Sequence, residues 1–214
     1  MKYDLVIFDC DGVLVDSEPI ANRIFADLIN SLGYKLSYEE CEHMFTGRSD
    51  KDCLKILEKV SGRKPPVNLF NKFDELAFNA YETELKAVEG IEEIISILNH
   101  DAFCVASNAP EKKIHKALTV TGLYPKFKGR IFSSEMVERP KPFPDLFLYA
   151  AHKMKAEPKK CIVIEDSPFG VKAAVSAGMD VLGYCERTDR NILENAGAKT
   201  FNDMSLLKDF LKLT

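Results

Sequence analysis

Three short apolar runs, each closed by polar residues, limit what this chain can fold into more than any other feature. Leu5-Val6-Ile7-Phe8 ends in Asp9-Cys10-Asp11-Gly12, Phe103-Cys104-Val105-Ala106 in Ser107-Asn108, and Cys161-Ile162-Val163-Ile164 in Glu165-Asp166. Continuous runs rich in β-branched and aromatic residues suit strands buried on both faces of a parallel sheet. A doubly buried strand does not tolerate carboxylates, so the polar residues fall at the strands' carboxyl ends. Helical patterns lie between the runs, over 91–99, 111–121, 143–155 and 170–177. Further strands are expected at 130–132 and 180–183, and a closing helix at 205–213. Strand alternating with helix indicates an α/β fold, a Rossmann-like parallel sheet with helices on both faces and right-handed crossovers.

One stretch breaks the rhythm. Ser17 can cap a helix with Pro19 in its first turn, and Gly33 ends it. Ile20, Ile24, Leu28 and Leu32 recur at i, i+4, so this helix has one apolar face. Ser37-Tyr38-Glu39-Glu40 reads as a capping box, and Ser49 can cap a helix over 50–60. Pro65-Pro66 breaks the pattern, which resumes over 68–86. No strand pattern occurs between 16 and 87. The expected organisation is an α/β core of residues 1–15 and 88–214 and an all-α helical insert, or cap, at 16–87.

Composition narrows the function classes. The chain has 33 acidic and 29 basic residues and no basic run, so the electrostatic footprint of a nucleic-acid binder is missing. No stretch approaches the roughly 18 apolar residues of a membrane helix. The 6 cysteines include no C-x-x-C pair, which points to free thiols in a reducing compartment. Met1-Lys2-Tyr3-Asp4 leads straight into a strand and does not resemble a signal peptide, so a cytoplasmic location is expected. The 4 histidines are scattered without ligand spacing. There is no P-loop, G-x-G-x-x-G or G-x-S-x-G.

In open α/β sheets, ligands bind beyond the carboxyl ends of the strands. The residues placed there are Asp9 and Asp11, Ser107 and Asn108, Lys141 within Arg139-Pro140-Lys141-Pro142, and Glu165 and Asp166. Each has an ordinary alternative. Asp-x-Asp-Gly also suits a solvated turn, Asp166 and Ser167 suit a helix start, Ser107 suits a cap, and Lys141 suits an exposed loop. Together they would crowd four carboxylates at one sheet edge, which is unfavourable unless a cation neutralises them or a proton is retained. An all-oxygen set points to Mg²⁺ rather than zinc. A fixed ammonium at Lys141 would hold both the carboxylates and a phosphoryl group, and Ser107 with nearby backbone amides would grip phosphate oxygens.

The order of these residues resembles the haloacid dehalogenase-like hydrolase superfamily. Its first motif is matched by the run from Phe8 to Glu18, its second by Ser107-Asn108, its third by Lys141-Pro142 and its fourth by Glu165-Asp166-Ser167 with Gly170. The insert resembles the small helical cap of the subgroup containing β-phosphoglucomutase and phosphoglycolate phosphatase. The resemblance implies a Mg²⁺-dependent phosphatase of a small phosphorylated metabolite, a sugar phosphate or phosphosugar acid. Asp9 would be the nucleophile and Asp11 the general acid and base. Asp9, the Asp11 carbonyl and Asp166 would bind the ion, with Glu165 nearby, and Ser107 and Lys141 would hold the transferring group. Asn108, Gly47 and Arg48 would contact substrate, the last two from the cap loop Thr46-Gly47-Arg48. A monomer is expected, with no nucleic-acid or membrane partner. The second aspartate sets the chain apart from the dehalogenases and phosphonoacetaldehyde hydrolases. Ser107-Asn108-Ala109-Pro110-Glu111 lacks the Lys-Asn pair of the mutases. A phosphosugar mutase and a non-catalytic phosphate-binding domain remain the alternatives.

Overall fold

A computed structural model describes residues 2–45, 50–98 and 102–212. The chain divides into two compact units, Met1–Asp16 with Lys86–Thr214, and Ser17–Leu85. The first is built on a six-stranded parallel sheet: β1 (Leu5–Phe8), β2 (Phe103–Ser107), β3 (Ile131–Ser133), β4 (Cys161–Glu165), β5 (Asp180–Tyr184) and β6 (Lys199–Phe201), in the order β3-β2-β1-β4-β5-β6. β1 lies between β2 and β4, with Phe8 level with Val105 on one side and Ile164 on the other. All four β1 residues are buried, as an apolar run without alternation requires.

Every regular element described in the second unit is a helix: α1 (Glu18–Ser31), α2 (Tyr38–Phe45), α3 (Asp50–Ser61) and α4 (Leu69–Glu84). Its core gathers Phe25, Leu28, Ile29, Cys41, Phe45 and Leu57, with the Phe70 and Phe73 rings against Phe25. The capping box forms: the Ser37 amide donates to the Glu40 carboxylate at 2.7 Å, and the Glu40 amide donates to Ser37 Oγ at 3.1 Å. Ser17 stands at the N-cap of α1 with a helical backbone and makes no side-chain cap bond. The expected Ser49 cap lies outside the described residues. The unit starts after Asp16 and stops before Lys86 because these two pair on the core side. The Asp16 amide donates to the Lys86 carbonyl at 3.0 Å, and Val15 bridges Ala87.

The core helices are α5 (Ile91–Ile97), α6 (Glu111–Val120), α7 (Tyr124–Phe127), α8 (Asp145–Lys153), α9 (Pro168–Ser176), α10 (Arg190–Ala196) and α11 (Leu207–Leu211). Alternate β1 residues face opposite sides. Leu5 and Ile7 join Phe147 of α8 and Val171 of α9, whereas the Phe8 ring meets Phe103 and Phe127. β6 and α10 were not expected from the sequence. β6 has three residues at the sheet edge with only Phe201 buried, and α10 has seven with only Leu193 buried. Neither writes a long apolar pattern.

Candidate active site

The sheet changes direction of growth at β1: the chain adds β2 and β3 on one side, then β4, β5 and β6 on the other. The carboxyl ends of β1 and β4 therefore flank the crevice where such folds take ligands. Asp9 extends the pairing by one residue, its amide donating to the Ile164 carbonyl at 2.9 Å. The chain then turns back sharply. The amides of Leu14 and Val15 donate to the Cys10 carbonyl, and Gly12 donates to the Val15 carbonyl at 2.8 Å. Gly12 has φ +76°, and a Cβ there would collide with the Asp166 carboxylate. A glycine is thus required twice over, once for the turn and once for the approach of Asp166.

Lys141 ties β1 to β4. Its Nζ donates to Asp9 Oδ1 and to Glu165 Oε1, both at 2.6 Å, and lies 4.8 Å from the centre of the Phe147 ring. The Lys141 side chain is 3% exposed and Glu165 1%, so the ammonium is dry. Burial alone would discharge it, but the Asp9 and Glu165 carboxylates outweigh burial and hold its pKa above the ordinary lysine value. For Asp9 the balance falls the other way. Burial, with Glu165 and Asp11 nearby, overrides Lys141 and pushes its pKa up to about 7. Glu165 Oε2 accepts from the amide and the hydroxyl of Ser167, each at 2.9 Å, and Ser167 Oγ accepts from the Gly170 amide at 3.0 Å. A Cβ at Gly170 would strike the Glu165 carboxylate.

The remaining expected residues fall into three groups. Ser107 ends β2, buried, with its Oγ accepting from the Ala109 amide at 3.2 Å. Asn108 bonds the Lys141 backbone through both atoms of its amide. Gly47 and Arg48 lie outside the described residues. Sequence reasoning missed Lys113, whose Nζ donates to Asp11 Oδ2 at 3.0 Å from the first turn of α6. Its signal was available, because a lysine in the first turn of a helix that follows β2 must lie near the sheet's carboxyl edge. Cys10, between the two aspartates, is buried, and burial with the neighbouring carboxylates holds its thiol pKa well above the ordinary value. It packs as a small hydrophobe.

Carboxylate oxygens of Asp9, Glu165 and Asp166 all lie within 4.8 Å of one another. Four carboxylates (Asp9, Asp11, Glu165, Asp166) face two ammonium groups (Lys113, Lys141), which leaves an excess of two negative charges when all are ionised. A divalent cation matches that excess, and an oxygen-only donor set without His or thiolate matches a hard ion.

The chain is similar to known proteins along nearly its whole length. The family model described as haloacid dehalogenase-like hydrolase matches residues 6–184. The 6-phosphogluconate phosphatase of Escherichia coli K12 is 29% identical over 216 residues, covering 99% of this chain and 96% of that protein. The crystal structure of a conserved haloacid dehalogenase-like protein of unknown function from Agrobacterium tumefaciens superposes with a TM-score of 0.88 at 33% identity, over 98% of each chain. That of a hydrolase from Deinococcus radiodurans, with bound phosphate and sodium, gives 0.85 at 29%, over 98% of this chain and 95% of that one.

Proposed function

The chain belongs to the haloacid dehalogenase-like hydrolase family, and from that premise we propose that it is a Mg²⁺-dependent phosphatase of small phosphorylated metabolites, working through an aspartyl phosphate on Asp9. The observation that carries this reading is the buried Lys141 ammonium bridging Asp9 and Glu165, with Asp166 beside them. A binding module has no use for a desolvated carboxylate held against an ammonium at the strand edge. A nucleophile does, because the lysine fixes one Asp9 oxygen and leaves the other to attack.

The Asp9 carboxylate forms the new P–O bond while the bond from phosphorus to the leaving oxygen breaks in line. Asp11 gives its proton to the leaving alkoxide. A phosphate dianion beside a carboxyl favours its protonated form, which makes that donation feasible at neutral pH. In the second half, Asp11 takes the proton of a water that attacks phosphorus, inorganic phosphate leaves, and Asp9 is restored. Ser107 and Lys141 hold the transferring group. Mg²⁺, held by Asp9, Asp166 and the Asp11 carbonyl, would neutralise phosphate charge and align the attack. Glu165 has its oxygens on Lys141 and Ser167, so its main work is to hold the lysine.

The E. coli relative's name supports a sugar phosphate or phosphosugar acid as substrate, with Ser17–Leu85 acting as a cap that reads the leaving group. The cysteines are free, which supports a reducing, cytoplasmic setting, and no described helix is long and apolar enough to cross a membrane. The test is hydrolysis of p-nitrophenyl phosphate with Mg²⁺ and with chelator. Turnover should need the metal and fall at least about 10³-fold in Asp9→Asn. Undiminished turnover in that variant would falsify the mechanism. Isomerised sugar phosphate without released phosphate would replace hydrolase by mutase.

A further inference from the structure

We propose that Asn108 is a positioning residue: its side chain grips the backbone of Lys141 and so fixes the ammonium, rather than touching substrate. The kinetic part of the test rests on the phosphatase reading above; the structural part does not.

Asn108 Nδ2 donates to the Lys141 carbonyl and the Lys141 amide donates to Asn108 Oδ1, both at 3.0 Å. One planar amide therefore satisfies both backbone groups of a single residue, as an antiparallel strand partner would. Lys141 needs such a partner because it lies in a turn outside the sheet. Between Pro140 and Pro142 it carries the sole backbone N–H, since proline has none. Further out, the loop is closed by Arg139, whose guanidinium donates twice to Asp145 at 3.0 and 2.9 Å. Asn108 is the tie at its centre.

The tie is anchored at its other end. Asn108 follows the last residue of β2, and its carbonyl accepts from Ser134 Oγ at 2.8 Å. The Glu111 amide, opening α6, donates to Glu135 Oε2 at 2.8 Å. The segment after β3 thus braces the segment after β2, which in turn holds the Lys141 loop. Of the residue types with an amide-sized side chain, asparagine alone offers a donor and an acceptor on one short plane. Aspartate would set a carboxylate oxygen against the Lys141 carbonyl.

The experiment is a double-mutant cycle on p-nitrophenyl phosphate at saturating Mg²⁺, with Asn108→Ala, Lys141→Met and the pair together, plus amide hydrogen exchange at Lys141. Asn108→Ala should lower kcat about 10- to 100-fold, the usual cost of losing an orienting partner. KM should change by less than about threefold, and the double variant should fall no more than about threefold below Lys141→Met. The Lys141 amide should exchange at least about tenfold faster in Asn108→Ala. If Lys141→Met falls below detection, Lys141→Arg takes its place. If Asn108→Ala fails to fold, the isosteric Asn108→Asp is expected to show the same loss. A multiplicative loss in the double variant, a raised KM with kcat intact, or unchanged exchange at Lys141 would each overturn the proposal. A wild type without turnover rejects the phosphatase reading instead, and the exchange result then decides the clamp by itself.

Discussion

The two compact units bury different chemistry. The α/β unit hides Asp9, Ser107, Ser133 and Glu165 at the carboxyl ends of its strands, Lys141 in a turn beside Asp9 and Glu165, and Arg130 just before β3, whereas Ser17 is the sole buried polar residue described in the helical unit. The helical unit instead closes on rings: Phe25 meets Phe45, Phe70 and Phe73 with centroids 5.1, 5.8 and 5.5 Å apart. Rings in contact stabilise a fold simply by being there. Buried charges stabilise it poorly, and replacing a buried ion pair by well-packed apolar groups is often neutral or favourable. The contrast separates residues kept for packing from residues kept for work.

That separation can be broken by experiment. The largest combined effect on turnover and stability is expected at Lys141→Met, which strands two buried carboxylates. Turnover should fall about 10²- to 10³-fold, and stability of the metal-free protein by up to about 3–5 kcal/mol, read by urea denaturation. A variant with wild-type turnover would place Lys141 among the packing residues. Phe25→Ala should cost about 3–5 kcal/mol of stability while kcat on p-nitrophenyl phosphate below the denaturation midpoint stays near wild type. Loss of kcat before loss of helicity would dissolve the distinction from the other side.

A third test uses pH. Asp9 has a pKa of about 7 in the folded chain, against about 4 for an unfolded aspartate. The folded state therefore holds more protons over that window. Its contribution is complete below about pH 4 and is lost as pH rises through about 7, by at most about 4 kcal/mol for three units. Metal-free wild type should lose stability relative to Asp9→Asn between those limits, and Mg²⁺ should restore it. A stability difference that stays flat with pH would mean that Asp9 is not strained by burial. The smallest effect is expected at Ser37→Ala, which removes one half of the capping box for about 1 kcal/mol and should leave turnover unchanged.

Much of the core was legible because burial on both faces imposes a continuous apolar run. β1, β2 and β4 each have one, and the polar residues closing them meet because the sheet is parallel. β6 and α10 were not legible, since each buries one apolar residue and draws the rest of its definition from neighbours. Within the site, Asp9, Asp11, Lys141, Glu165 and Asp166 could be named from their positions after strands. Their partnerships could not. Lys113 reaches Asp11 across 102 residues and Asn108 reaches Lys141 across 33. No local pattern encodes such pairs; they follow only once the strands are side by side. Asn108 was expected to touch substrate because it sits where substrate contacts sit; its two bonds to the Lys141 backbone had no signal in the sequence.

The central place of β1 also shapes how the molecule must be made. On a ribosome, Leu5–Phe8 emerges before both strands that flank it, which begin at Phe103 and Cys161. At about 5–20 residues per second, the second of these arrives on the order of ten seconds later. Through that delay β1 has at most one of its two neighbours, while the helical segment 17–85 is free to close upon itself. Asp9, whose amide pairs with the Ile164 carbonyl, thus cannot reach its place until the far half of the chain has been translated.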